Sequence, residues 1–316
     1  MAFGRVLITG GAGFVGSQLL KRIEPLADHV YVIDDLSSGS RDAVISSDKV
    51  TFIQGSYYQE DLLEEVLPRV EWIFHLACSS LSSSVIDIKK DYSTNLYGAF
   101  VLLEKVRALC PTLHRIVYTS TASVYGNAPV RPTPETYYQI TTAYAASKFA
   151  AEHYFEMYFR NFRLPVTTVR LSNVFGPGQV SSNPYCGVVA KFFECLQNGE
   201  PFRIFGDGLQ TRDFTYVEDA IDAILLAAVS ANSIGKLYNI GTGIETNIRQ
   251  LAETIASIGG YRDYPFSYLP KRPIDHIAYR SVDCRLIRED LHWMPKYTLE
   301  QGLRKTDAWL KQQQSE

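Results

Sequence analysis

The feature that most constrains this chain is a glycine-spaced turn directly after a short apolar run. It reads Val6-Leu7-Ile8-Thr9-Gly10-Gly11-Ala12-Gly13-Phe14-Val15-Gly16. An apolar run of this length that ends in glycines is expected of a strand buried on both faces of a parallel sheet. Gly10, Gly13 and Gly16 set a G-x-x-G-x-x-G spacing. The first glycine permits a tight turn, the second lets backbone approach a pyrophosphate, and the third lets the next helix pack close to the strand. The helix N-terminus then offers free N–H groups and a favourable dipole to phosphate. Asp34 closes the following strand, where a carboxylate accepts hydrogen bonds from the adenosine ribose and repels a 2′-phosphate. Asp35, Leu36, Ser37 and Ser38 come next, without an arginine, so the expected cofactor is NAD rather than NADP.

A second feature lies about 110 residues further on. Tyr144 and Lys148, in Tyr144-Ala145-Ala146-Ser147-Lys148, fall one turn apart on one face of a helix expected over 143–161. A free phenol has a pKa near 10, and a neighbouring ammonium lowers it. Tyr144 is therefore a candidate general base, with Lys148 to stabilise it and to hold the nicotinamide ribose. A hydroxyl should complete such a site. Ser120, Thr121 and Ser123 are available at the end of the strand expected over 115–120, and spacing alone does not choose among them.

Strand-like runs at 29–34, 50–54, 72–77, 115–120 and 164–171 alternate with helical stretches at 13–23, 61–67, 92–109 and 143–161. This alternation predicts an α/β fold, a Rossmann-type doubly wound parallel sheet. After residue 175 the pattern loosens. The expected organisation is an NAD-binding domain over 1–175, with a helix at about 217–230 returning to it, and a smaller substrate-binding lobe over 176–316. The 316 residues are 46% apolar and 21% charged, ordinary for a soluble globular protein. A net charge of −3 argues against nucleic acid, and no apolar run is long enough for a membrane span. The apolar start reads as a buried strand rather than a signal peptide. The odd number of cysteines, five, and the lack of CxxC spacing make a metal site or disulfide framework a poor reading. Free thiols and a cytoplasmic location are expected.

Taken together these residues resemble the extended short-chain dehydrogenase/reductases, in particular the NAD-dependent nucleotide-sugar epimerases and dehydratases. The resemblance covers nearly the whole chain. It is carried by Gly10–Gly16, Asp34–Gly39, His75-Leu76-Ala77, Asn95, Ser120–Gly126, Tyr144–Lys148, Arg170–Pro177 and Thr211–Asp219. It implies a catalytic set of Thr121, Tyr144 and Lys148. It further implies that Phe14, Val15, Asp35, Ser38, Gly39, Ser56, Leu76, Ala77, Asn95 and Thr119 join the glycines and Asp34 around NAD. For the nucleotide sugar it implies Asn173 and Arg212 at the diphosphate, Arg272 and Asp275 beside them, and Pro184-Tyr185 and Val188 at the base. A homodimer is implied through a four-helix bundle built from the helices near 92–109 and 143–161, with Phe149, Tyr154, Phe155 and Tyr158 as candidate contacts.

Two departures stand out. Ser56 replaces the family's usual aspartate near the adenine. The run Ser79-Ser80-Leu81-Ser82-Ser83-Ser84 is unusual, and as a loop facing the sugar, Ser79, Ser80 and Ser82, with Ser123, would tune specificity. The reaction class follows from what stands after Thr121. The family's dehydratases carry Asp-Glu and its decarboxylases Ser-Glu there, whereas this chain has Ala122-Ser123. Without those acids the pattern looks like a 4-epimerase, oxidising the sugar at C4 and reducing it on the opposite face. UDP-glucose/UDP-galactose is the expected pair, with UDP-GlcNAc and UDP-glucuronate open. Tyr279 would restrict an N-acetyl group, while an inward Arg280 would suit a uronate carboxylate.

Overall fold

A computed structural model describes residues 2–179, 187–272 and 277–313. The central element is a seven-stranded sheet of β1 (Phe3–Thr9), β2 (Ala27–Asp34), β3 (Val50–Gln54), β4 (Trp72–His75), β5 (Arg115–Thr121), β6 (Val166–Leu171) and the strand Leu237–Ile240. Their spatial order is Leu237–Ile240, β6, β5, β4, β1, β2, β3. β1 pairs in parallel with β2 on one side and β4 on the other, with Val6 opposite Val30 and Trp72. The chain thus reverses its direction of travel across the sheet at β1 and β4. In a doubly wound sheet ligands gather outside the strand carboxyl ends at that point. Val6, Leu7 and Ile8 are fully buried, as their apolar run predicts.

Helices α1 (Phe14–Ile23), α2 (Glu60–Val66), α3 (Leu81–Ile86), α4 (Ile88–Asp91), α5 (Gly98–Leu109) and α6 (Ala143–Phe162) lie between the strands in sequence. Tyr118 of β5 stacks on Phe155 of α6 at 4.3 Å between ring centroids. Leu102, Val106, Ile116 and Phe155 sit in one fully buried cluster. Two elements differ from the sequence expectation. The stretch 92–109 begins as a π-helical turn, Tyr92–Tyr97, before the α-helix starts at Gly98. The serine run is not an open loop: Ser80 caps α3 by accepting from the Ser83 N–H at 3.2 Å. Serine hydroxyls satisfy first-turn N–H groups well, so a serine-rich stretch favours a helix start as readily as a loop.

The chain divides into two compact units, one formed by Met1–Val124, Ile140–Arg170 and Ile221–Tyr238, the other by Tyr125–Gln139, Leu171–Ala220 and Asn239–Glu316. In the first, the buried Arg115 donates to the carbonyls of Ala227 (2.8 Å) and Ser230 (3.0 Å), at the end of helix Val217–Val229. In the second, the buried Asp213 accepts from the N–H groups of Thr242, Gly243 and Val282 at 2.8, 2.9 and 3.1 Å, holding two loops beside Arg212. Among the described residues no helix is long and apolar enough to cross a membrane.

Candidate active site

Residues 144 and 148 both lie on α6, whose N-cap Thr142 accepts from the Ala145 N–H at 3.1 Å. That cap starts the helix two residues before Tyr144 and so fixes the phenol's position on the first turn. The Tyr144 side chain meets Thr121 at the end of β5 and Cys78 just beyond β4. Burial pushes the phenol well above its ordinary value, the nearby Cys78 adds to this, and the Thr121 hydrogen bond opposes it. Thr121 also accepts from the Ser123 N–H at 3.0 Å, which fixes its hydroxyl. The three hydroxyls left open by spacing are thereby separated. Thr121 reaches Tyr144, Ser123 turns its backbone toward Thr121, and the Ser120 hydroxyl is buried without a partner.

Lys148 is 2% exposed, with Nζ 4.4 Å from the Tyr118 ring centroid. Burial lowers its pKa, and interactions with Cys78, Glu152 and Asp91 offset only part of that. Glu152, one turn further along α6, forms a buried bidentate pair with Arg170 at 2.9 and 2.7 Å. Sequence reasoning missed Cys78, Asp91 and Glu152. Only Glu152 had a local signal, its i,i+4 spacing from Lys148.

The glycine turn has the geometry that close approach requires. Gly10 has φ +75°, and a Cβ there would lie 2.6 Å from the Ala77 nitrogen. A Cβ on Gly16 would lie 2.1 Å from the Gly10 carbonyl oxygen. At Gly13 a Cβ would meet only that carbonyl, at 3.4 Å, so its outer side is open. The N-cap of α1 is Gly13, which has no side chain to cap the first turn, so among the described residues the N–H groups of Phe14 and Val15 are placed to meet an anion. Asp34 accepts from the Ala12 and Leu36 N–H groups, each at 2.9 Å, which ties the carboxylate to the turn. Burial raises its pKa and these two hydrogen bonds lower it. A carboxylate has room for further donors, so ribose hydroxyls remain accommodated. The residues present therefore fit a dinucleotide.

Other expected cofactor contacts are placed as follows. Gly39 lies against Ala12, where a Cβ would be 2.6 Å from the carbonyl oxygen, while Asp35 and Ser38 are exposed beside it. The Ser56 N–H is taken by Gln59 at 2.7 Å. Leu76 and Ala77 follow β4 half-buried, and Thr119 donates to the His75 carbonyl at 3.0 Å. Asn95 is turned inward: its amide oxygen accepts from the Ser79 N–H (2.8 Å), and its amide group donates to the Ser79 carbonyl (3.0 Å) and Asp91 (2.7 Å). The side chain thus locks the segment after β4. The serines are likewise used internally, since Ser80 pairs with Ser83 at 2.8 Å and Ser84 bonds to Asp91. Ser79 is buried with an unpartnered hydroxyl, and Ser82 is half-buried.

In the second unit, the Asn173 N–H donates to the Asp213 carbonyl at 3.0 Å. Arg212 is half-buried and donates to the Thr211 carbonyl at 2.6 Å. Arg272 is exposed and lies over the Phe205 ring at 4.5 Å, and Val188 opens the helix Val188–Asn198 half-buried. Asp275, Pro184 and Tyr185 lie outside the described residues. Of the two adjacent candidates, Arg280 is the buried one, and Tyr279 is exposed with Arg131 over its ring at 5.0 Å. Cys110, Cys195 and Cys284 are buried free thiols, and Cys78 is exposed. Among the described residues no group of His, Cys, Asp and Glu could hold a metal.

Comparison with known proteins agrees with this geometry. The profile described as "NAD dependent epimerase/dehydratase family" matches residues 6–241. The chain is 38% identical to UDP-glucose 4-epimerase of Mycolicibacterium smegmatis, over 96% of this chain and 97% of that protein. It is 30% identical to dTDP-D-glucose 4,6-dehydratase of Mus musculus, over 96% and 88%. The crystal structure of UDP-glucose 4-epimerase from Thermotoga maritima with UDP-glucose superposes with a TM-score of 0.92 at 35% identity, covering 98% and 99% of the two chains. The chain is a member of the NAD-dependent epimerase/dehydratase family of enzymes.

Proposed function

We propose that this enzyme is a 4-epimerase of a UDP-sugar, with UDP-glucose and UDP-galactose as the pair interconverted. The observation that carries the reading is the meeting of Tyr144 with Thr121 beside Lys148, next to a position, Ala122, that is apolar and 1% exposed. No acid follows Thr121 to drive elimination or decarboxylation. When bound, NAD would supply the acceptor and donor of the hydride at C4 and a positive charge on its oxidised ring.

The chain's residues manage the proton and the orientation. Burial alone pushes Tyr144 the wrong way for a base, so positive charge has to offset it, and Lys148, one turn further along α6, is the cation we assign to that task. Tyr144 then takes the proton from the sugar 4-hydroxyl and later returns it, with Thr121 hydrogen-bonded to the same oxygen. Arg212 and Asn173 hold the diphosphate while the sugar turns, and a planar guanidinium suits that task. Arg272 and Val188 serve the nucleotide.

Proton NMR of purified protein with UDP-glucose should show UDP-galactose. A stable 4-keto-6-deoxy product would overturn the reading in favour of a dehydratase. A second substrate, UDP-glucuronate, is favoured by the burial of Arg280, and incubation with that sugar decides between them. We also infer a homodimer through α5 and α6. Phe155 and Tyr158 drop out as contacts because both are buried in the first unit's core, whereas Tyr97, Phe100 and Tyr154 are exposed on these segments. Light scattering that gives a monomer mass at micromolar protein would refute it.

A further inference from the structure

We propose that Asp91 is a positioning residue for the proton-transfer pair: a buried carboxylate that ties α6 in place through Asn95 and Ser147 and adds to the negative charge that keeps Lys148 protonated. The inference rests on the proton-transfer reading above.

Asp91 ends α4, immediately before the π-helical turn, and is 2% exposed. Its Oδ1 accepts from the Asn95 amide at 2.7 Å and from the Ser84 hydroxyl. The same Asn95 amide reaches the Ser147 hydroxyl at 3.3 Å, and Ser147 precedes Lys148 on α6. One network therefore joins α3, α4 and the π-turn to the helix that carries Tyr144 and Lys148.

A buried carboxylate needs a compensating charge or several donors. Among the described residues Asp91 has no ion pair with Arg or Lys, and its two hydrogen bonds both fall on Oδ1. The other acid near Lys148, Glu152, is already matched by Arg170 at 2.7 Å. Glu152 and Asp91 both favour the charged form of Lys148, and of the two Asp91 has no cation of its own among the described residues. The groups that act on Tyr144 are Cys78, Asp91, Thr121 and Tyr118, and those that act on Lys148 are Cys78, Asp91, Glu152, Tyr118 and the neutral His75. Asp91 is the acid common to both sets, and its charge acts on Tyr144 and Lys148 in the same direction, upward.

Replacing Asp91 with Asn separates charge from geometry, because an amide oxygen can accept both bonds now made to Oδ1. The acid limb of the kcat/KM–pH profile reports Tyr144 losing its proton, and the alkaline limb reports Lys148 losing its charge. With Asp91→Asn both limbs should move toward acid by about half to one pH unit, a roughly three- to tenfold rate change on each limb. Asp91→Glu, which keeps the charge, should leave the limbs at the wild-type position. Should the amide variant fail to fold, Asp91→Ser removes the charge in a smaller side chain and takes its place. An unmoved profile for the uncharged variant, or an equal shift in Asp91→Glu, would overturn the inference.

A second readout needs no substrate. The tyrosinate absorbance of NAD-loaded protein, taken as wild type minus Tyr144→Phe, is titrated with and without Asp91→Asn. Its midpoint should move toward acid, and a midpoint that stays in place overturns the inference even if the sugar proves to be a different one. Absent epimerisation by the wild type would instead sink only the function proposed above.

Discussion

Helix α6 carries Lys148 and Glu152 into the interior of one unit, whereas the arginines expected to meet the diphosphate stand near the surface of the other. Lys148 and Glu152 are 2% and 4% exposed, while Arg212 is half-buried and Arg272 exposed. The difference is one of surroundings. A buried charge must be balanced by the fold itself, so Lys148 is accompanied by Glu152, Arg170 and Asp91. A surface guanidinium stays in contact with water and can turn to a ligand, and Arg272 lies over the Phe205 ring. Substitutions in the first region should therefore change chemistry and folding together, and those in the second should change binding.

The largest expected effect tests the buried region directly. Tyr144→Phe should lower turnover in the proposed epimerisation by about 10²- to 10⁴-fold while NAD stays bound. Retained activity would break the comparison at its strongest point. Next, Arg170→Met leaves Glu152 buried without its partner and should destabilise the fold by about 3–5 kcal/mol. Urea denaturation reads this, and a loss under about 1 kcal/mol would show that the pair is not desolvated in solution.

The third effect belongs to the other unit. Arg212→Ala should raise KM for the nucleotide sugar by about 10- to 100-fold, with the melting temperature hardly moved and Arg212→Lys recovering only part. A fall in kcat with KM unchanged would assign Arg212 to the transition state instead.

The smallest is a pH effect on stability. His75 is buried between Tyr57, Tyr118 and Phe155, with Nδ1 2.7 Å from the Thr9 hydroxyl, and burial holds its pKa well below the ordinary value. The unfolded chain takes up this proton near pH 6.5 and the folded chain does not. The His75 contribution is thus present above about pH 6.5 and lost as the pH falls, by up to about 1.4 kcal/mol per pH unit. Thermal melts of wild type and His75→Gln between neutral and mildly acidic pH measure it.

What could be read in advance follows the range of the interactions involved. The strands and the glycine turn were legible because period, φ preference and close approach are properties of a few consecutive residues. The pairing of Tyr144 with Lys148 was legible because four residues make one helical turn. The choice of Thr121 from three hydroxyls came from the family resemblance and not from spacing, since it depends on where Tyr144 on α6 meets the end of β5. The serine run was misread as a loop because its composition serves a helix cap equally well. Asn95, expected at the cofactor, spends its amide on Ser79 and Asp91, which no spacing announces.

By itself the sequence determined the α/β class, the dinucleotide turn, the NAD preference and the family, since these depend on local backbone geometry and on residue types at short spacings. Only the tertiary structure decided which buried charges face one another. Asp91 linked through Asn95 to Ser147, Glu152 against Arg170, Cys78 on Tyr144 and Arg280 buried in place of Tyr279 all arise from packing between distant segments. Burial removes water as the balancing partner, and the fold has to bring in a substitute from elsewhere in the chain.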